Sequence, residues 1–110
     1  MSLYKSIEQA TQKNDVDAYL KLLHDDYKFV RHQSGQTMTK AAMGDMMRKM
    51  MATANMSVHD NRCIYENADI LVEHSVMDFP DGTREAVMGV HILKDGKILR
   101  TETGATLVKK

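Results

Sequence analysis

The sequence predicts an α+β fold in which three N-terminal helices pack on a curved antiparallel sheet. The first reason is a change of hydrophobic period. Apolar residues recur every three to four positions up to about residue 53, then give way to segments rich in Val, Ile, Thr and Tyr. The second is the spacing of turn signals. Asn14-Asp15, Ser34-Gly35, Asn67-Ala68-Asp69, Pro80-Asp81-Gly82 and Lys94-Asp95-Gly96 leave the later segments joined by connections too short for parallel crossovers, so they form an antiparallel meander. The third is size: 110 residues, 43% of them apolar, can build one core without covalent staples, so residues 1–110 are read as a single domain.

Taken in order, Leu3, Ile7 and Ala10 form one apolar stripe of a first helix. Asp15 is placed to cap a second, whose stripe runs through Val16, Tyr19, Leu20 and Leu23 and stops at His24-Asp25-Asp26. Tyr27 to Gln33 is a short strand. Thr39 caps a third helix running to about Thr53, with Met43, Met46, Met47, Met50 and Met51 on its apolar face; these methionines are read first as core. Four strands follow near 56–66, 70–79, 84–94 and 97–108. Gly89 and Gly104, inside long strands, are expected sites of a bend or bulge.

Composition narrows the function classes. Fifteen basic residues balance fifteen acidic ones, which argues against a nucleic-acid binder held by charge. No apolar run reaches the roughly 20 residues of a membrane span. The polar first twelve residues lack the apolar centre of a signal peptide. With Cys63 as the single cysteine, a cytoplasmic location is expected. Among five histidines there is no helical ligand pair of the H-E-x-x-H kind, and there is no cysteine pair, so no metal and no cofactor are expected.

His74 and His91 carry more information because both fall inside strands. A two-residue loop at Asp81-Gly82 would set His74 opposite Gly89 and on the face of His91. A three-residue loop, with Pro80 in a type I turn and Gly82 left-handed, puts the two histidines on opposite faces. Lys94-Asp95-Gly96-Lys97 poses the same choice, and a one-residue slip reverses every inward assignment.

The order of elements, with the stretches NDVDAYLKLLHDDYKFV, GQTMTKAAM and DGTREAVMGVHILKDGKILR, resembles the nuclear-transport-factor-2-like superfamily over nearly the whole chain. In particular it resembles the SnoaL-like and ketosteroid-isomerase-like small bacterial members of that superfamily. The resemblance implies a cystatin-like cone with a pocket at its open end and a homodimer formed through the sheet. It also favours the bulged register, in which Gly89, His91, Leu93, Leu99, Thr101, Thr103 and Ala105 share the pocket face. In the isomerase-like members the catalytic aspartate position falls near Arg31, the first-helix tyrosine near Ile7, and the second acid near Met88 or Gly89. None of these residues can play those parts, since arginine stays protonated and the others carry no acid, so authentic ketosteroid isomerisation is not expected.

The reading that remains is a protein binding a small, partly apolar molecule that is anionic or carbonyl-bearing. Arg31, Tyr19, Thr101 and Thr103 are expected to bind it, and His91 to serve as the catalytic acid or base, in isomerase, cyclase or lyase-type chemistry. The alternative is a non-catalytic dimeric binding or interaction module whose pocket is vestigial.

Overall fold

The computed structural model describes residues 2–53, 57–79 and 81–109. Helices α1 (Leu3–Gln12) and α2 (Val16–Lys21) lead into strands β1 (Leu23–Arg31) and β2 (Gln36–Thr39) and helix α3 (Lys40–Thr53). Strands β3 (Ser57–Glu66), β4 (Ile70–Asp78), β5 (Arg84–Lys94) and β6 (Lys97–Leu107) follow. The predicted start of the third strand segment at residue 56, and Pro80 of the turn before β5, lie outside the described residues, as do the side chains of Met50 and Met51.

The caps form where the sequence places them. The Ala18 amide donates to Asp15 Oδ1 at 3.0 Å, and the Ala42 amide to Thr39 Oγ1 at 3.3 Å. The second helix is shorter than its apolar stripe suggests. Leu22 ends it, the Ile98 amide donates to the Leu22 carbonyl, and Leu23 is fully buried opposite Ile98 in the sheet. Strand β1 thus begins before the polar triplet His24-Asp25-Asp26, which a register shift between Leu23 and Lys28 accommodates.

The sheet order is β2-β1-β6-β5-β4-β3. The four long strands form the expected antiparallel meander. The sheet as a whole is mixed, because β1 joins β6 in parallel and then turns back on itself through β2. The wide connection from β1 to β6, which passes through α3 and four strands, is what permits that parallel pair.

At the β4–β5 hairpin His74 opposes Met88, the Phe79 amide donates to the Thr83 carbonyl, the Gly82 amide donates to the Phe79 carbonyl, and Gly82 has φ +89°, so the three-residue loop is the one formed. The β5–β6 connection differs. Asp95 (φ 55°) and Gly96 (φ 76°) make a tight two-residue turn, and the extra residue is Leu99, bulged within β6. Ile98, not Leu99, therefore fills the core there. The register recovers by Arg100, so His91 and Thr101 still face each other. No register shift occurs at Gly89 or Gly104, where a bend or bulge was expected. The helices cover the face bearing Leu71, Ser75, His91 and Thr101, and the core gathers Tyr4, Ile7, Tyr19, Leu23, Tyr27, Met43 and Ile98, with Met46 and Met47 packed against it.

Candidate functional site

A polar array lies inside this apolar core. Alternation along β4, β5 and β6 turns Glu73, His91 and Thr101 to the helix-covered face, and Phe29 of β1 lies across from Thr101. His91 is 4% exposed and Thr101 3%. His91 Nδ1 and Thr101 Oγ1 stand 2.7 Å apart, a hydrogen bond that fixes the ring. On the other side, His91 Nε2 approaches Glu73 Oε2 to 3.3 Å, close enough for charge attraction but not in hydrogen-bond geometry. Among the described residues three buried side-chain atoms lack a hydrogen-bond partner: Glu73 Oε2, His91 Nε2 and the Tyr27 hydroxyl. Such atoms are costly in a folded interior.

The tyrosines around this array are held in the protonated form. Burial pushes the Tyr27 hydroxyl up to about 12; the neighbouring Thr101 hydroxyl opposes that shift and the Glu73 carboxylate adds to it. Burial, then Tyr27, then Glu73 raise Tyr19 well above the ordinary phenol value. Tyr4, whose hydroxyl donates to Asn61 Oδ1, is raised by burial first and then by the negative charges of Glu8 and Glu73. The interior thus presents neutral hydroxyl donors beside one carboxylate and one imidazole. Gly89 opposes Glu73; a methyl group there would sit 3.6 Å from Glu73 Cγ and 3.7 Å from His91 Nε2, so an added side chain would lie against both groups.

Arg31 stands on the same face at the end of β1, across from Thr103, which is half-buried. Its Nη2 donates to Glu85 Oε1 and Oε2 at 3.0 and 3.2 Å and to Gln33 Oε1 at 2.8 Å. The guanidinium lies 5.9 Å from the centre of the Phe79 ring. The structure therefore brings His91, Thr101 and Tyr19 into one interior. It sets Arg31 and Thr103 one inward position further along the sheet, with the arginine already facing a carboxylate.

The other sequence candidates fall elsewhere. His74 faces away from the helices. His24 Nδ1 accepts from the Asp26 amide, and His32 and His59 contact Glu102 and Asp78. Among the described residues no group of three or more His, Cys, Asp or Glu is arranged to hold a metal ion, and no helix is long and apolar enough to cross a membrane. Cys63 is exposed, and burial of its sulfur, then Glu66 and Glu73, raise its thiol pKa, which weakens it as a nucleophile. Tyr27 and Glu85, absent from the sequence candidates, share the inward parity of Arg31 and His91. Glu73 was legible only once the hairpin register was settled.

Helices packed on one face of a curved mixed sheet, with ionisable groups buried between the layers, define an NTF2-like α+β cone. The chain belongs to the SnoaL-like domain family, whose model matches residues 5–101. No curated protein matches it. Among solved structures it is similar to an NTF2-like protein of unknown function from Cytophaga hutchinsonii ATCC 33406, at 15% identity and TM-score 0.77, covering 94% of this chain and 87% of that one. A putative ketosteroid isomerase from Kribbella flavida DSM 17836 superposes with TM-score 0.79 at 12% identity, over 98% and 78% of the two chains. TerC, co-crystallised with polyporic acid, gives TM-score 0.75 at 17% identity, over 94% and 88%. At these identities the likeness is one of fold.

Proposed function

We propose that this protein binds a small, partly apolar, carbonyl-bearing molecule against the inner face of its sheet and moves a proton on it. The observation that carries the reading is the convergence of three buried polar atoms without partners, Tyr27 Oη, Glu73 Oε2 and His91 Nε2. A ligand carbonyl would accept from the Tyr27 hydroxyl. With Nδ1–H donated to Thr101 Oγ1, the Nε2 lone pair of His91 takes a proton from the carbon beside that carbonyl. The electron pair moves onto the oxygen as an enolate, and the imidazolium so formed faces the Glu73 carboxylate. Return of the proton to another carbon gives an isomerisation; loss of a leaving group gives a lyase reaction. In this reading Tyr19, Thr103 and Arg31 would contact the rest of the ligand. Co-crystallisation of TerC with polyporic acid is in keeping with a small organic ligand for this fold.

The test is exchange of the activated protons of 2-tetralone in D2O, followed by proton NMR. Exchange above the buffer rate is expected, and His91→Ala should slow it by about 10²-fold or more with little change in affinity. Exchange at the buffer rate, with tetralone bound, would leave binding alone and remove the acid–base role. A homodimer through the uncovered sheet face is the accompanying proposal, supported by the apolar side chains exposed there.

A further inference from the structure

We infer that Glu85 sets the charge selectivity of the pocket: by occupying Arg31 it turns an anion subsite into a neutral one, so the ligand end that reaches Arg31 carries an uncharged acceptor rather than a carboxylate. This rests on the pocket reading above and goes beyond it by fixing the chemistry of the ligand's second polar end.

An arginine on the inner face of a cone would ordinarily recruit an anion. Here the guanidinium already has one. The Glu85 side chain is only 7% exposed and places both carboxylate oxygens on Nη2, which also serves Gln33. A carboxylate this deeply buried is stable only with its cation, so a ligand carboxylate could replace it only by leaving Glu85 buried and uncompensated. Adding a second anion beside the pair meets the same repulsion. Glu73, on the same face, contributes further negative charge. Yet the arginine is not exhausted. Among the described residues its Nε and Nη1 make no hydrogen bond, and the side chain is one-third exposed. Those protons suit a carbonyl, amide or ester oxygen, which asks for donors without bringing charge.

Register also sets the ligand's length. Arg31 pairs with Thr103, which pairs with Gly89, while His91 lies two residues along from Gly89. That puts the Arg31 and His91 backbones about 12 Å apart, from strand spacing and rise. With both side chains reaching inward, a two-ring molecule bearing a polar group at one end spans the gap.

The experiment compares 2-naphthamide with 2-naphthoate, matched in shape and differing in charge. Affinities are measured by amide-resolved NMR titration on the wild type, Glu85→Gln and Arg31→Gln, with melting curves on each. The wild type should bind the amide at least 10-fold more tightly than the acid. Glu85→Gln keeps an acceptor on Arg31 and removes the charge; it should gain at least 10-fold for naphthoate while naphthamide changes less than 3-fold. Arg31→Gln should weaken naphthamide at least 5-fold, so a poorly folding Glu85→Gln still leaves two measurements that decide. A wild type preferring naphthoate, or a ratio unmoved by Glu85→Gln, or naphthamide indifferent to Arg31→Gln, overturns the inference and leaves the pocket intact. If neither probe shifts any resonance of the folded wild type at millimolar concentration, the pocket reading itself fails and the inference with it.

Discussion

Tyr27 shows what a single side chain in this interior costs and supplies. It is 1% exposed, yet its hydroxyl has no partner in hydrogen-bond geometry. A buried hydroxyl left unbonded gives the folded state little, so Tyr27→Phe should change stability near pH 7 by less than about 1 kcal/mol, or raise it. The pH dependence is sharper. Its folded pKa is raised to about 12 from an unfolded value near 10, chiefly by burial. The folded state therefore holds the proton more tightly; that contribution is fully present below pH 10 and is lost as pH rises through 12. At roughly 1.4 kcal/mol per unit it amounts to about 3 kcal/mol, so Tyr27→Phe should move the alkaline unfolding midpoint upward. Circular dichroism against pH checks this, and a midpoint unchanged by the substitution would show that Tyr27 ionisation does not drive unfolding. The same variant should lose about 10-fold or more of the proposed tetralone exchange, since the hydroxyl's use lies in the ligand's oxygen rather than in the fold.

At the level of elements, β5 places a glycine, Gly89, directly opposite Glu73 of β4. Gly89 has neither a positive φ nor a register shift, so its backbone does not require glycine. An added Cβ would meet Glu73 and His91 at ordinary contact distances. Gly89→Ala should therefore keep or slightly raise the melting temperature, because alanine is the better strand residue by about 0.5–1 kcal/mol. It should also cut tetralone exchange at least 10-fold by filling the space beside the pair that a ligand would use. A fall in melting temperature of several degrees would mean the glycine is structural after all. The four meander strands were legible, since their turns and apolar content mark them within a residue or two, whereas β1 begins four residues before the expected Tyr27 and β2 was not foreseen. Which faces pointed inward was not, because that depends on single residues in two hairpins. At the first, left open by the sequence, Gly82 takes the left-handed conformation of the three-residue loop. The second kept the inward pairing of His91 with Thr101 by bulging Leu99 inside the strand, an irregularity that no turn signal announces. The parallel β1–β6 pair was equally hidden, since it joins segments some seventy residues apart and no local pattern specifies it.

The whole molecule has two unequal faces. One side of the sheet is closed by helices; the other carries exposed apolar side chains on β3 and β5. Ile70 pairs with Ile92, Val72 with Val90 and with Tyr65, and His74 with Met88, all turned away from the helices. Met88, Ile92 and Tyr65 are 45%, 38% and 55% exposed. A sheet face that met only water would alternate polar residues at these positions, as the outward Arg100 and Glu102 of β6 do. An apolar patch bordered by charged side chains is the signature of an interface, and a face that contains both His74 and Glu102 suits a second copy of the same chain in two-fold contact. The chain should therefore sediment as a dimer at micromolar concentration. Met88→Glu with Ile92→Glu would place four carboxylates in such an interface, two from each copy, and should yield monomers with the far-ultraviolet spectrum unchanged. These residues do not touch the inner face, so tetralone exchange per chain should persist in the monomer. A wild type that sediments as a monomer at 100-fold higher concentration would remove the dimer and leave the outer face without a partner, while the same loss of exchange in a folded monomer would mean that pairing of the outer faces supports the geometry of Glu73 and His91 from behind the sheet.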